Sequence, residues 1–271
     1  MRNNDALQFD DQNAFVAFMN RDQPLRPANI LNIVAINQGK RPLTMATPTT
    51  DALTPQAALQ LIEQDHLVVD IRESASFGGG HIHGATNVQL SSDEFEQRVG
   101  WVTPLDVPLI LVADDNDDIP RALHKLAFLG LDQRIAGYVE NGMPAWMEAG
   151  LPVATLAQIS VHHLHESLQR DDIGPAIRVL DVRETSEWDD GHIESASYMN
   201  FKVLHQQLDQ LPLGADDPVA IVCATGQRSS IAGSIMQLKG FTNVYNVTGG
   251  MTAWAAADLP MVDVEGCPII R

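Results

Sequence analysis

Cysteine is nearly absent from this sequence: 271 residues hold only Cys223 and Cys267. Two are too few for a disulfide framework and lack the paired spacing of a zinc site, so any thiol chemistry rests on one residue. Cations are scarce too. Lys and Arg number 17 against 35 Asp and Glu, for a formal net charge of −18, and such a surface repels phosphate backbones and lipid headgroups. Nucleic acids and membrane surfaces are therefore not expected partners. No run approaches the roughly 18 consecutive apolar residues of a membrane span, and the opening MRNNDALQFDDQ lacks the basic-then-apolar layout of a signal peptide. A soluble, cytoplasmic chain is the expectation.

What is present is a repeat. DIRESASFGGGHIHGA at 70–85 aligns without gaps on DVRETSEWDDGHIESA at 181–196, with seven of sixteen positions identical. PLILVA at 108–113 matches PVAIVC at 218–223, and NGMPAWMEAGLPV at 141–153 matches GGMTAWAAADLPM at 249–261. Two homologous domains about 110 residues apart follow, bounded here as 55–154 and 158–263, after an N-terminal extension over 1–45. Short apolar runs alternate with helical segments in each copy, which predicts an α/β fold with a central parallel sheet and helices on both faces. In the second copy Ser160 is expected to cap a helix over 161–169, IRVLDVR, PVAIVC and NVYNVTGG to be strands, and FKVLHQQLDQL and the amphipathic SSIAGSIMQLKGF to be helices, the latter closed by Gly240. In the first, Thr54 is expected to cap the helix PQAALQLIEQ. MATPTTDALTP at 45–55 reads as a linker. Residues 9–44, with the helix candidate AFVAFM and a Pro-punctuated apolar run, are too few for a domain and too apolar for a free tail, and should dock on something.

In PVAIVCATGQRSSIAGSIMQL a strand delivers Cys223 to its C-terminal end and a helix begins close to Arg228, at the sheet edge where α/β proteins bind ligands. Backbone N–H groups of Ala224, Thr225, Gly226, Gln227, Arg228 and Ser229 can curl around the sulfur, and a helix N-terminus adds about half a positive charge. A free thiol with pKa about 8.5 is only a few per cent ionised at pH 7, whereas helix N-termini bring cysteines to roughly 3.5–7.5. Gly226 suits a tight loop, and Arg228 offers a planar donor fork to an anion. The plain alternative is a buried cysteine packing as a small hydrophobe, but Gly, Arg and hydroxyl residues before a helix favour a nucleophile.

The strand, CATGQRS and helix, with DVRE before GHI and GGMTAW after, resemble the rhodanese homology domain, in two copies over residues 55–261. The resemblance implies a sulfurtransferase of reactive sulfur metabolism. Cys223 would carry a sulfane sulfur from thiosulfate or a low-molecular-weight persulfide to a thiol or cyanide, with residues 224–229 as the cradle and no cofactor or metal. Six residues from Cys to Arg fit the sulfur-handling members, while the related phosphatases and arsenate reductases use a loop one residue longer. A sulfide or persulfide sensor or docking protein, with neither copy turning over, is the alternative from another class. Asp181 and Arg183 are expected to form a structural ion pair, His192 to pin a loop and Trp254 to pack.

At the position of Cys223 the first copy has Ala113, followed by DDNDD at 114–118. Alanine cannot carry sulfur and four carboxylates repel thiosulfate, so this copy is expected to be degenerate. The acidic run lacks the Gly and Glu spacing of an EF-hand. His81, His83, His162, His163 and His165 offer no nameable third ligand for a metal, and are expected to be solvated or capping. Cys267 is expected to be an inert tail thiol, the other reading being a resolving thiol for Cys223. The run FVAFMNRDQPLRPANILNIVAINQGKRPL is similar to the C-terminal end of metallo-β-lactamase-fold persulfide dioxygenases, some of which carry a degenerate and then an active rhodanese domain. No HxHxDH metal motif is present here, so dioxygenase activity and iron are not implied. The implied partners are a metallo-β-lactamase-fold protein or a second copy of the chain.

Overall fold

The computed structural model describes residues 8–9, 11–21, 25–26, 29–41, 44, 46–104, 106–170 and 176–269. Helices α1 (Gln12–Met19) and α2 (Ile30–Asn37) come first. The first domain follows as β1 (Ala52–Leu53), α3 (Pro55–Ile62), β2 (Leu67–Asp70), α4 (Ser74–Gly79), β3 (His81–Ile82), β4 (Thr86–Asn87), α5 (Phe95–Val102), β5 (Leu109–Val112), α6 (Asp118–Ala127), β6 (Ile135–Val139), α7 (Gly142–Glu148) and β7 (Val153–Ala154). The second is β8 (Ala157–Ser160), α8 (Val161–Leu168), β9 (Arg178–Asp181), α9 (Thr185–Asp189), β10 (Ala196–Tyr198), α10 (Leu204–Gln207), β11 (Val219–Val222), α11 (Gln227–Leu238), β12 (Val244–Thr248) and α12 (Gly250–Ala256).

Each domain is a five-stranded parallel sheet flanked by helices, ordered β1-β6-β5-β2-β4 and, in the same sense, β8-β12-β11-β9-β10. The central strands β5 (LILV) and β11 (VAIV) are buried at every residue, as strands covered on both faces must be. The expected caps form. Thr54 Oγ1 accepts the Ala57 N–H at 3.2 Å, with Pro55 in the first turn, and Ser160 Oγ accepts that of His163 at 3.1 Å.

Three expectations are revised. The supposed linker contains β1, because Ala52 and Leu53 pair in parallel with Tyr138 and Val139 and complete the first sheet. FKVLHQQLDQL forms only the single turn α10 and then a 3₁₀ turn, Leu208–Gln210, since Asn200 Oδ1 caps the Lys202 N–H and holds the chain in a turn before it. The segment α11 is not amphipathic in its setting: Ser229 to Met236 are eight consecutive buried residues. The first domain covers its outer side, and one apolar cluster runs from Val69 and Leu111 through Ile231 and Ile235 to Leu180 and Phe201.

The N-terminal piece holds two helices rather than one, part of the Pro-punctuated run lying outside the described residues. It docks on the first domain. Ile36 is buried and would meet any side chain added at Gly130, Asn29 packs on Gly100 of α5, and Thr44 Oγ1 donates to Asp132 at 2.6 Å. Among the described residues no helix is long and apolar enough to cross a membrane.

Candidate active site

β11 ends at Val222 and α11 starts at Gln227, so Cys223 opens a four-residue turn at the carboxyl edge of the sheet. Its Sγ accepts the Gly226 N–H at 3.1 Å. Gly226, the residue before α11, has φ +105°, a conformation that favours glycine. The sulfur thus sits at a twelve-residue helix N-terminus, where first-turn N–H groups have no partner within the helix. Ser229 Oγ lies 3.3 Å from Sγ and donates to Asn246 Oδ1 at 2.6 Å, while Asn246 Nδ2 donates to Gln158 Oε1 at 2.9 Å. A hydroxyl has one proton, so Ser229 can accept from a thiol while bonding Asn246, or turn its proton to a thiolate.

The turn is held from outside by α12. The Met251 and Thr252 N–H groups donate to the carbonyls of Cys223 and Ala224 at 2.7 and 3.0 Å. That approach requires Gly250, with φ +50°, because a Cβ there would collide with the Cys223 carbonyl oxygen. Cys223 is buried, 1% exposed. Ala224 borders a cleft of about 450 Å³ whose lining includes Arg183, Glu187, Met251, Thr252 and Met261, and Thr225 is exposed at the turn's apex.

Arg228 is placed differently from the free fork expected. Its Nη1 and Nη2 donate to Glu187 Oε2 and Oε1 at 2.6 and 2.7 Å. Burial opposes the Arg228 charge, yet the bonds to Glu187 and then the nearby charge of Cys223 raise its pKa overall. Burial likewise pushes Glu187 up, but the Arg228 bonds, the Glu184 N–H and the charges of Arg228 and Arg183 together hold the carboxyl below its ordinary range. Glu187 is oriented by a capping box, accepting the Glu184 N–H at 3.0 Å.

The flanking motif residues are structural, and they are so twice. Arg183 forks onto the buried Asp181 at 2.7–3.0 Å and donates to the Gly191 carbonyl, as Arg72 does onto Asp70 and Gly80. His192 Nδ1 bonds the Trp188 carbonyl and stacks on its ring at 3.5 Å, and His81 repeats this on Phe77 at 3.7 Å. Burial lowers the pKa of His81. Trp254 donates to the Pro260 carbonyl and Trp146 to that of Pro152, both at 2.9 Å. His162 and His163 are exposed on α8, and His165 meets Trp254 edge-on. Among the described residues no three His, Cys, Asp or Glu side chains gather as a metal-holding group. Cys267 is exposed, in a turn where its N–H bonds Asp263 at 2.8 Å.

In the first domain the same turn is filled by its own side chains. Asp114 receives the Ser76 hydroxyl at 3.2 Å and stands 3.7 Å from Arg72. Asp115 Oδ1 accepts the Asp117 N–H, and Asn116 exchanges bonds with Asn141. Sequence reasoning missed Glu187, Asn246, Gln158 and Gly250. The first three meet the loop across 41, 17 and, through Asn246, 88 residues of chain, with no local pattern to announce them. The doubled glycine at 249–250 before a helix was the usable sign.

The description "Rhodanese-like domain" matches residues 54–149 and 160–257. A thiosulfate sulfurtransferase of Pseudoalteromonas translucida is 33% identical over 100 residues, covering 36% of this chain and 89% of the relative. A putative sulfur carrier protein of Bacillus subtilis is 28% identical over 101 residues, 37% of this chain, and the match spans only about half (52%) of that relative's length. Among solved structures, the polysulfide-sulfur transferase homodimer of Wolinella succinogenes is 29% identical, with 40% of this chain and 79% of that chain covered at a TM-score of 0.35. The chain therefore belongs to the rhodanese-like family, as a tandem of two such domains.

Proposed function

We propose that the second domain transfers a sulfane sulfur through a persulfide on Cys223, and that the first domain, with Ala113 in that place, does not turn over. The observation that carries this is the Cys223 sulfur at the N-terminus of α11, bonded by the Gly226 N–H and next to the Ser229 hydroxyl. These donors stabilise a thiolate and then the terminal sulfur of a persulfide. With thiosulfate, the thiolate attacks the outer sulfur, the bond to the sulfonate sulfur breaks, and sulfite leaves with its electron pair. With a low-molecular-weight persulfide the leaving group is the donor's thiolate. Cyanide or an acceptor thiolate then attacks the terminal sulfur and Cys223 leaves as thiolate, so no net oxidation occurs and no cofactor is consumed. Residues 224–229 hold the anion by backbone N–H groups, Arg228 acting through its charge while Glu187 fixes its direction. The setting is the cytoplasm.

The burial of Cys223 favours one second reading, a persulfide sensor that takes up sulfur without passing it on. Mass spectrometry before and after donor, with thiocyanate production from thiosulfate and from glutathione persulfide, separates the two. Turnover with one sulfur gained, both lost in Cys223→Ser, supports the transferase. Sulfur gained without turnover supports the sensor, and neither gain nor turnover sinks both. The N-terminal helices are the part of the reading that concerns partners. Phe15, Val16, Met19, Leu25, Leu31 and Val34 are all exposed there, a surface suited to a metallo-β-lactamase-fold protein or a second copy of the chain.

A further inference from the structure

The catalytic turn is not built by the second domain alone. Asn87 of the first domain accepts the Ser230 hydroxyl at 2.6 Å, and its N–H donates to Ser234 at 3.2 Å, so β4 grips α11 one turn beyond the cysteine loop. On α5, Arg98 and Trp101 are three residues apart and share a face. Trp101 lies under the Lys202 ammonium, 5.3 Å from ring centroid to Nζ, and Arg98 Nη1 donates to Gln227 Oε1 at 3.0 Å. Gln227 is the first residue of α11 and follows Gly226, whose N–H holds the sulfur.

The cations around the turn differ in how far they are neutralised. Arg228 is matched by Glu187, Arg183 by the buried Asp181, and Lys202 by Glu184 at 2.7 Å. Arg98 is the exception, since its partner on the turn is a neutral amide. Its one carboxylate among the described residues, Glu94 at 3.1 Å, lies a turn back on α5 with its side chain 59% exposed, where solvent screens the pair. The Arg98 guanidinium is itself largely buried and its Nε–H has no acceptor among the described residues. A poorly neutralised charge at low exposure is felt further than a paired one.

We infer that Arg98, from the domain without a cysteine at the sulfur position, is a positioning and charge-selecting residue of the Cys223 site, holding Gln227 and favouring anionic over neutral reagents at the thiol. Its biological meaning rests on the sulfur-transfer reading, but its test does not. In full-length Cys267→Ser protein, which leaves Cys223 as the single thiol, alkylation rates are measured with iodoacetate, an anion, and iodoacetamide, which is neutral. Arg98→Met lowers the iodoacetate-to-iodoacetamide ratio about three- to tenfold, the effect of one charge in partly solvated surroundings, and Arg98→Lys restores most of it. General loosening of the loop would move both rates together. Glu94→Gln, an exposed change that does not threaten folding, raises the ratio by removing the partial neutraliser. A ratio unmoved in Arg98→Met and in Glu94→Gln overturns the inference. Failure of wild type to gain sulfur from either thiosulfate or glutathione persulfide would sink the transferase reading and leave this ratio standing.

Discussion

The two turns at 113–118 and 223–228 follow matching strands of matching sheets, flanked by the same Asp–Arg fork, stacked histidine and tryptophan-to-proline hydrogen bond. They differ in where their hydrogen-bonding capacity points. In the first turn Asp115 and Asn116 satisfy neighbouring groups, and Asp114 faces Arg72 as a built-in anion. In the second, small side chains leave a backbone N–H for the sulfur, and the matching arginine, Arg183, borders an open cleft beside Ala224. On the proposed reading, the turn after this strand is where an anion would be held. Whether the site serves chemistry depends on whether a carboxylate of the chain already occupies it.

The strongest test of that contrast moves the nucleophile. In a Cys223→Ser background, Ala113→Cys is expected to gain no sulfur from thiosulfate by mass spectrometry, because Asp114 and its neighbours repel both a thiolate and the donor. A sulfur adduct on residue 113 would show that the nucleophile alone separates the domains. Next in size is Gly250→Ala, whose Cβ meets the Cys223 carbonyl at a positive φ. It should cost about 3 kcal/mol in urea unfolding. Gly142→Ala makes the same collision with the Ala113 carbonyl and should cost a similar amount, but only the Gly250 change should slow sulfur loading of the folded protein. The smallest effect concerns the pair that the first domain lacks. Because Glu187 is held below its ordinary value of 4.5, it stabilises the fold above that pH, and the contribution is lost as pH falls through the depressed pKa. Glu187→Gln should flatten the acid side of the stability profile by up to about 1 kcal/mol, the partial exposure of the pair keeping the effect small. A wild-type slope retained in the variant would remove the pair from the account.

What was legible in the sequence was what depends on neighbours along the chain. LILV and VAIV announce buried strands, Thr54 and Ser160 announce helix starts, and the repeat aligns the two turns residue by residue. What was not legible depends on partners far away. SSIAGSIMQLKGF read as an amphipathic helix, yet its Ser230 and Ser234 are both buried, Ser230 on Asn87, 143 residues distant. Arg228 read as an open fork because Glu187 lies 41 residues earlier. Arg98 sat on an unremarked helix, 129 residues before the glutamine it bonds. β1 was hidden in a Thr- and Pro-rich stretch, since two residues suffice for a strand once β6 supplies the template.

The enclosure of α11 also orders events in time. Synthesis runs from the N-terminus, and domains generally fold as they emerge. The first domain, with Asn87 and α5 in place, is therefore complete before Cys223 and α11 leave the ribosome. The helix whose terminus would activate the thiol has apolar and hydroxyl groups on every side from Ser229 to Met236, and it can settle only against a surface that already exists. On the proposed reading the cysteine meets its donors only late in assembly, once the first domain stands and β12 and α12 have closed on the turn.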